Sequence, residues 1–253
     1  MKQVIKKKYT YLISIITVIV FLFLWEISLN IFNISRAVLI KPTEILITAI
    51  SEYDIILTEL FYTAKEIILG WIIGNSLGFL VAIIIYQKQN IARNLVNTFV
   101  LINSVPLIAL SAILGGIMGT NIDQKILIVS LIVFFPMLIT ALSQLTTIED
   151  DHKDLLLTYS ASQKDIFKKI LLPKSLPFIL NSIKVGVITA IFTAITAEFF
   201  GGYGGIGIFI LSKKGLYNLP LVWASIFYIA IFGTIFYFSV EALQKKLTPW
   251  QKL

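Results

Sequence analysis

The sequence predicts an all-α, polytopic membrane protein of about six transmembrane helices, and three observations carry that expectation. The 253 residues are 57% hydrophobic and 14% charged, with a mean hydropathy of +0.89, which is more apolar surface than one soluble domain of this length can bury. The apolar residues fall in runs of about 20, enough to cross a hydrocarbon core about 30 Å thick. The lysines and arginines behind the net charge of +7 sit at the ends of those runs, as membrane topology requires.

Taken in order, the spans fall near 10–32, 63–86, 98–118, 126–146, 178–200 and 219–242. Lys2, Lys6, Lys7 and Lys8 precede an apolar run that continues to Phe32 without a small-residue cleavage site, which reads as a retained first span. Three connections are long: 33–62, 147–177 and 201–218. In the first, Lys41-Pro42-Thr43-Glu44 followed by Ile45, Leu46, Ala49 and Ile50 predicts a surface helix with proline in its first turn. Placing the N-terminus inside puts 14 of the 21 basic residues on the cytoplasmic side and 5 outside, with Lys65 and Lys184 in or beside spans. Both termini and the 147–177 loop are therefore expected in the cytoplasm. No repeat or linker divides the chain, so 1–253 reads as a single transmembrane domain.

Composition also excludes chemistries. There are no cysteines, and His152 is the one histidine, so thiol catalysis, disulfides and a metal centre are not expected. Nucleic acid is not an expected partner, because the cations flank apolar runs instead of forming a stripe among aromatics; membrane lipid is. Gly202-Tyr203-Gly204-Gly205-Ile206-Gly207 spells a dinucleotide-binding pattern, but it follows a membrane helix and no strand, so that reading fails its context. These glycines suit a tight outer loop.

The 147–177 loop is too patterned for a connector. Acidic residues precede Leu155 to Leu157, as at a helix N-terminus. Ser162 with Asp165 three residues on forms an N-cap box for a second short helix, which Pro173 is expected to stop. Leu155, Leu156, Tyr159, Ile166, Phe167 and Ile170 supply an apolar face, open to a docked partner or to lipid headgroups. Within the spans, Thr189, Thr193 and Thr196 share one helical face that ends near Glu198. This face either lines a translocation path or permits close helix packing with the hydroxyls bonded to their own backbone. Glu198 itself serves the path or caps the loop after it. Asn103, Ser104 and Pro106 interrupt the third span, and Thr140, Ser143 and Gln144 polarise the fourth. Lys184 is expected to snorkel to the inner face.

The loop also resembles the Glu-Ala-Ala segment of binding-protein-dependent ABC transporter permeases. Asp154-Leu155-Leu156 stands at the Glu-Ala-Ala position, Ser160-Ala161-Ser162 at Gly-Ala-Ser, and Ile170-Leu171-Leu172-Pro173 at the closing motif. Leu39-Ile40-Lys41-Pro42, Thr63 to Gly70 with Gly74, Val105-Pro106-Leu107, Glu198 with Gly205-Ile206-Gly207, and Leu247-Thr248-Pro249-Trp250 resemble the nitrate/sulfonate/taurine subfamily in order and spacing. That resemblance implies an importer's permease subunit in a bacterial plasma membrane. It implies a two-helix coupling segment at 149–173 that docks a cytoplasmic ABC ATPase subunit through Asp154, Leu155, Leu156, Tyr159, Ser160, Ala161, Ile166 and Phe167. It further implies a second permease subunit, an extracytoplasmic substrate-binding protein, and ATP bound and hydrolysed by the partner with no cofactor in this chain. The translocation path is then sought among Asn103, Ser104, Thr140, Gln144, Thr189, Thr193, Thr196 and Glu198. The solute is a sulfonate-, taurine- or nitrate-like anion or a compound like a thiamine pyrimidine or riboflavin. A secondary transporter and a membrane scaffold are the other two classes the sequence leaves open.

Overall fold

The computed structural model describes residues 2–36, 38–87, 89–103, 109–146, 162–202 and 204–250, and all regular structure among them is helical. The helices are α1 (Lys2–Ile31), α2 (Pro42–Ser51), α3 (Tyr53–Tyr86), α4 (Gln89–Asn103), α5 (Leu110–Met118), α6 (Ile122–Thr146), α7 (Gln163–Ile166), α8 (Leu172–Phe199), α9 (Ile206–Gly215) and α10 (Leu219–Leu247). A π-helical stretch, Phe167–Leu171, joins α7 to α8. Four helices are long and apolar enough to cross a membrane: Tyr53–Tyr86, Ile122–Thr146, Lys164–Phe199 and Leu219–Leu247, with Ile16–Ile31 a shorter apolar helix.

Three expectations are corrected. The second span begins at Tyr53, not near 63, because hydropathy registers only the apolar part of α3, and its first turns carry Asp54, Glu59 and Thr63. Of the expected third span, 98–118, residues to Asn103 belong to α4 and residues from Leu110 to α5, with 104–108 outside the described residues; α4 opens nine residues before 98, at Gln89, in sequence too polar to read as a span. Pro173 does not stop the helix that Ser162 opens. It lies where the π-helical stretch passes into α8, inside a backbone that stays helical through Ile166, Leu171 and Leu172, so its missing N–H leaves one gap in the ladder without ending the helix. A π-helical turn at this junction rearranges the hydrogen-bond ladder and accommodates the proline.

Contacts group the chain into two units, residues 1–58 with 209–228 and residues 59–208 with 229–253. In the first, Pro42 opens α2 as expected, and the Glu26 carboxylate accepts hydrogen bonds from Thr43 N–H at 3.1 Å and Thr43 Oγ1 at 2.6 Å, satisfying donors that a helix start leaves free. Trp25 meets Trp223 edge to face at 5.6 Å, and Tyr228 Oη donates to the Ala49 carbonyl at 3.0 Å.

The second unit holds the functional groups. Here α3 and α6 pack backbone against backbone. A Cβ added at Gly70 would lie 2.6 Å from Val129 Cβ, one at Gly74 2.5 Å from Ser130 O, and one at Gly78 2.7 Å from Phe134 O. Small residues every fourth position allow such an approach in lipid, where dispersion and not the hydrophobic effect holds helices together. The two helices run parallel, so the chain between them crosses back through α4 and α5. Antiparallel to both, α8 packs most extensively on α6. One core joins Ile67, Val129, Val133, Ala190 and Ala194; another joins Ala82, Met137, Leu138, Ala141, Leu142, Leu145, Ile166, Leu171 and Ile179.

Replacing Gly74 with alanine is expected to lower stability in detergent by about 1–3 kcal/mol, the usual cost of overpacking. Gly116→Ala, where an added Cβ meets nothing within 4 Å, is expected to leave the thermal midpoint unchanged or raised. Equal midpoints for the two variants would contradict the close α3–α6 contact.

Candidate functional site

Two polar features stand out in the second unit, and α8 contributes to both. At its Phe199 end is a buried charge cluster. Glu59, Thr63 and Glu66 fall at i, i+4 and i+7 on α3 and so share a face; Lys125 comes from the first turn of α6 and Glu198 from the last turn of α8. Asn121 positions that first turn, its Oδ1 accepting the Gln124 N–H at 3.0 Å in the manner of an N-cap. Thr63, Glu66, Lys125 and Glu198 are each at most 2% exposed.

The lysine ammonium lies 3.2 Å from Glu66 Oε1 and donates to the Gly204 carbonyl at 3.0 Å. Thr63 Oγ1 donates to Glu198 Oε1 at 2.6 Å and accepts the Ile206 N–H at 2.8 Å. Gly205 N–H donates to Glu59 Oε2 at 2.8 Å, and Gly207 N–H donates to Glu198 Oε2. Three consecutive amides at the start of α9 thus point at side chains of α3 and α8. Those amides have no intrahelical acceptor, and their dipoles favour the negative charge they face. The cluster closes the glycine loop like a latch.

The loop's glycines follow from this closure. Gly202 and Gly205 have φ of +148° and +115°, where side chains are strained. A Cβ at Gly202 would sit 2.6 Å from Lys125 Nζ, and one at Gly205 would collide with the Glu198 carboxyl. The dinucleotide-like spelling is the signature of a backbone laid directly over buried charges.

Further along α8 is the second feature, a cleft of about 250 Å³ lined by Val133, Pro136 and Thr140 of α6 and by Phe178, Asn181, Ser182, Val185, Gly186 and Thr189 of α8. Pro136 lies inside α6, and having no N–H it frees the Ile132 carbonyl from its usual donor.

The structure brings Thr140 and Thr189 of the expected path to this cleft and puts Glu198 in the latch. Thr193 is buried and bonds the Thr189 carbonyl at 2.7 Å; Thr196 bonds the Phe192 carbonyl at 2.7 Å. Asn103 is exposed at the end of α4, and Gln144 is half-buried on α6 outside the cleft lining. Ser104 lies outside the described residues, as do Asp154, Leu155, Leu156, Tyr159, Ser160 and Ala161. Of the expected docking residues that are described, Ile166 is 2% exposed in the core and Phe167 packs on Tyr86 with centroids 5.5 Å apart. Both face inward, whereas Lys164, Lys168 and Lys169 are exposed. The Ser162–Asp165 cap is formed, with Asp165 N–H donating to Ser162 Oγ at 3.2 Å.

Glu59, Thr63, Glu66 and Lys125 were not singled out from sequence as a site. Their signal is the i, i+4, i+7 polar spacing at the start of an apolar helix and a lysine inside the first turn of the next parallel one.

Helices of membrane-crossing length that carry a charge latch and a polar cleft define the class, a helical membrane protein. The chain belongs to the family described as binding-protein-dependent transport system inner membrane component, which matches residues 74–249. Among its relatives are the formylaminopyrimidine transport permease protein ThiX of Halalkalibacterium halodurans, 25% identical over 98% of this chain and 99% of that one, and the putative aliphatic sulfonates transport permease protein SsuC of Bacillus subtilis, 24% identical over 97% of this chain and 90% of that one. The fold is similar to that of a chain in an inward-facing structure of the MetNI methionine ABC transporter, with a TM-score of 0.60 and 17% identity over 76% of this chain and 97% of that one. The protein is a permease component of the ABC importer type.

Thr63→Val removes the hydroxyl that joins Glu198 to the loop and is expected to cost about 1–3 kcal/mol, read as a lower thermal midpoint, with Thr63→Ser retaining most of it. Lys125→Met leaves buried carboxylates without their cation and is expected to cost about 3–5 kcal/mol. A Lys125→Met protein as stable as wild type would contradict the latch.

Proposed function

We infer that this chain forms half of the membrane channel of an ATP-driven importer for a small solute. A second permease subunit pairs with it, an extracytoplasmic binding protein delivers the solute, and a cytoplasmic ABC ATPase docks on the 149–173 segment. ATP is bound and hydrolysed by that partner; this chain holds no cofactor and catalyses no reaction. Both termini lie in the cytoplasm, consistent with 14 of 21 basic residues falling on that side. The solute passes along the α6–α8 cleft, where Thr140 and Thr189 stand.

The observation that carries this reading is the unbroken helical path from the Ser162 cap through the π-helical stretch into α8. It links the segment expected to meet the ATPase to the wall of the cleft and to Glu198 in the latch. Displacement of the segment on ATP-driven closure then moves that wall as a rigid body, in the manner of packed helices with two arrangements. The docking surface is assigned to Asp154, Leu155, Leu156, Tyr159, Ser160 and Ala161, because Ile166 and Phe167 pack inward. Candidate solutes on this reading are compounds like those for which the relatives ThiX and SsuC are named, a formylaminopyrimidine and aliphatic sulfonates.

The Leu155→Asp, Leu156→Asp double variant is expected to reduce ATPase recovered with the membranes by about tenfold or more, as loss of apolar anchors does at interfaces, while the permease itself inserts normally. Undiminished recovery of the ATPase would remove the docking assignment.

A further inference from the structure

Most hydroxyls in the described spans return to their own helix. Ser130, Thr146, Thr193, Thr196, Thr234 and Ser239 each donate to the carbonyl four residues earlier at 2.7–2.8 Å, which satisfies them away from water. The cleft differs. Thr140, Asn181 and Ser182 have no hydrogen-bond partner among the described residues, and Thr189 reaches the Val185 carbonyl only at 3.4 Å, beyond the usual range. Polar side chains left open in a largely apolar wall call for water, a solute or a partner's polar groups.

The cleft is also selective in what it lacks. None of its nine lining residues is charged. The nearest cation in sequence, Lys184, points elsewhere, its ammonium 5.7 Å from the centroid of the Tyr237 ring. An anion entering from water finds no countercharge among these nine residues, which leave its desolvation uncompensated. Phe178, 51% exposed, supplies an aromatic surface in the lining on which a flat ring stacks. An apolar wall with a few convergent hydrogen-bonding groups is the usual make-up of a small-molecule site.

We propose that the α6–α8 cleft binds an uncharged, flat, hydrogen-bonding solute of the amino-substituted heteroaromatic class and disfavours anions. This assignment rests on the importer reading above and narrows its solute. Asn181 offers both a donor and an acceptor, Thr140 and Ser182 offer hydroxyls, and Phe178 offers the stacking face.

The test is equilibrium binding of cytosine and of methanesulfonate to the purified full chain in lipid nanodiscs, followed by ligand-observed NMR. Cytosine is expected to bind saturably, methanesulfonate about tenfold or more weakly, and Asn181→Leu and Thr140→Val to weaken cytosine by about tenfold each, the scale of one lost buried hydrogen bond. Ser182→Ala, a small truncation at a half-buried site, is expected to act in the same direction. Equal binding of the two probes, cytosine binding unchanged in all three variants, or no saturable cytosine binding would each overturn the proposal. The importer reading is decided separately, by ATP-driven uptake into proteoliposomes carrying the assembled transporter. Uptake there with failed binding here removes the cleft assignment alone, and binding here without uptake of any solute removes the importer reading alone.

Discussion

A lysine buried among carboxylates is the constraint on which the second unit depends. Lys125 is 2% exposed and so is Glu66, and an ammonium or carboxylate out of water costs several kcal/mol unless it is paired and hydrogen-bonded. The groups that meet this demand come from different parts of the chain: α3 brings Glu59, Thr63 and Glu66, α6 brings Lys125, α8 brings Glu198, and the glycine loop brings its carbonyl and amides. Shifting any one helix by a turn strands a charge. The cluster therefore fixes the register of three helices, and the start of α9 with them, more sharply than apolar packing in lipid does.

The same helix that ends in the latch lines the cleft, and it begins in a segment whose cap sits outside the apolar span. Along α8 and its extension the environment passes from exposed lysines to an uncharged polar cleft and then to a buried acid. A permease of this family needs a solute path and a way to move it from outside the membrane. On the reading proposed above, one helix here serves both needs.

How much was legible in the sequence depended on which physical rule each element obeys. Helices were legible wherever 20-residue apolar runs report the hydrocarbon thickness directly, and the proline-led surface helix was legible because Pro42 suits only a first turn. Boundaries were not, since α3 begins ten residues ahead of its apolar part and α4 begins in polar sequence. Pro173 misled because a proline inside a helix usually ends it, whereas here a π-helical stretch, which has no composition of its own, carries the helix past it. Glu198 stood out as a carboxylate for the path or for capping the loop, whereas Lys125 did not, because its partners Glu66 and Gly204 lie 59 and 79 residues away along the chain. The threonine face divided: Thr193 and Thr196 bond their own helix, whereas Thr189 lines the cleft.

Gly70, Gly74 and Gly78 repeat every four residues, and the neighbours that fill their notches, Val129, Val133 and Met137, repeat every four as well. The two helices mesh as a rack and its mate, with a tooth every ~6 Å at ~1.5 Å of rise per residue. A slide shorter than one tooth drives a side chain into backbone, and a close-packed interior yields to that in jumps and not by degrees. Displacements smaller than one tooth therefore carry α3 and α6 together. In a machine built from sliding helices, this pair is a single moving part.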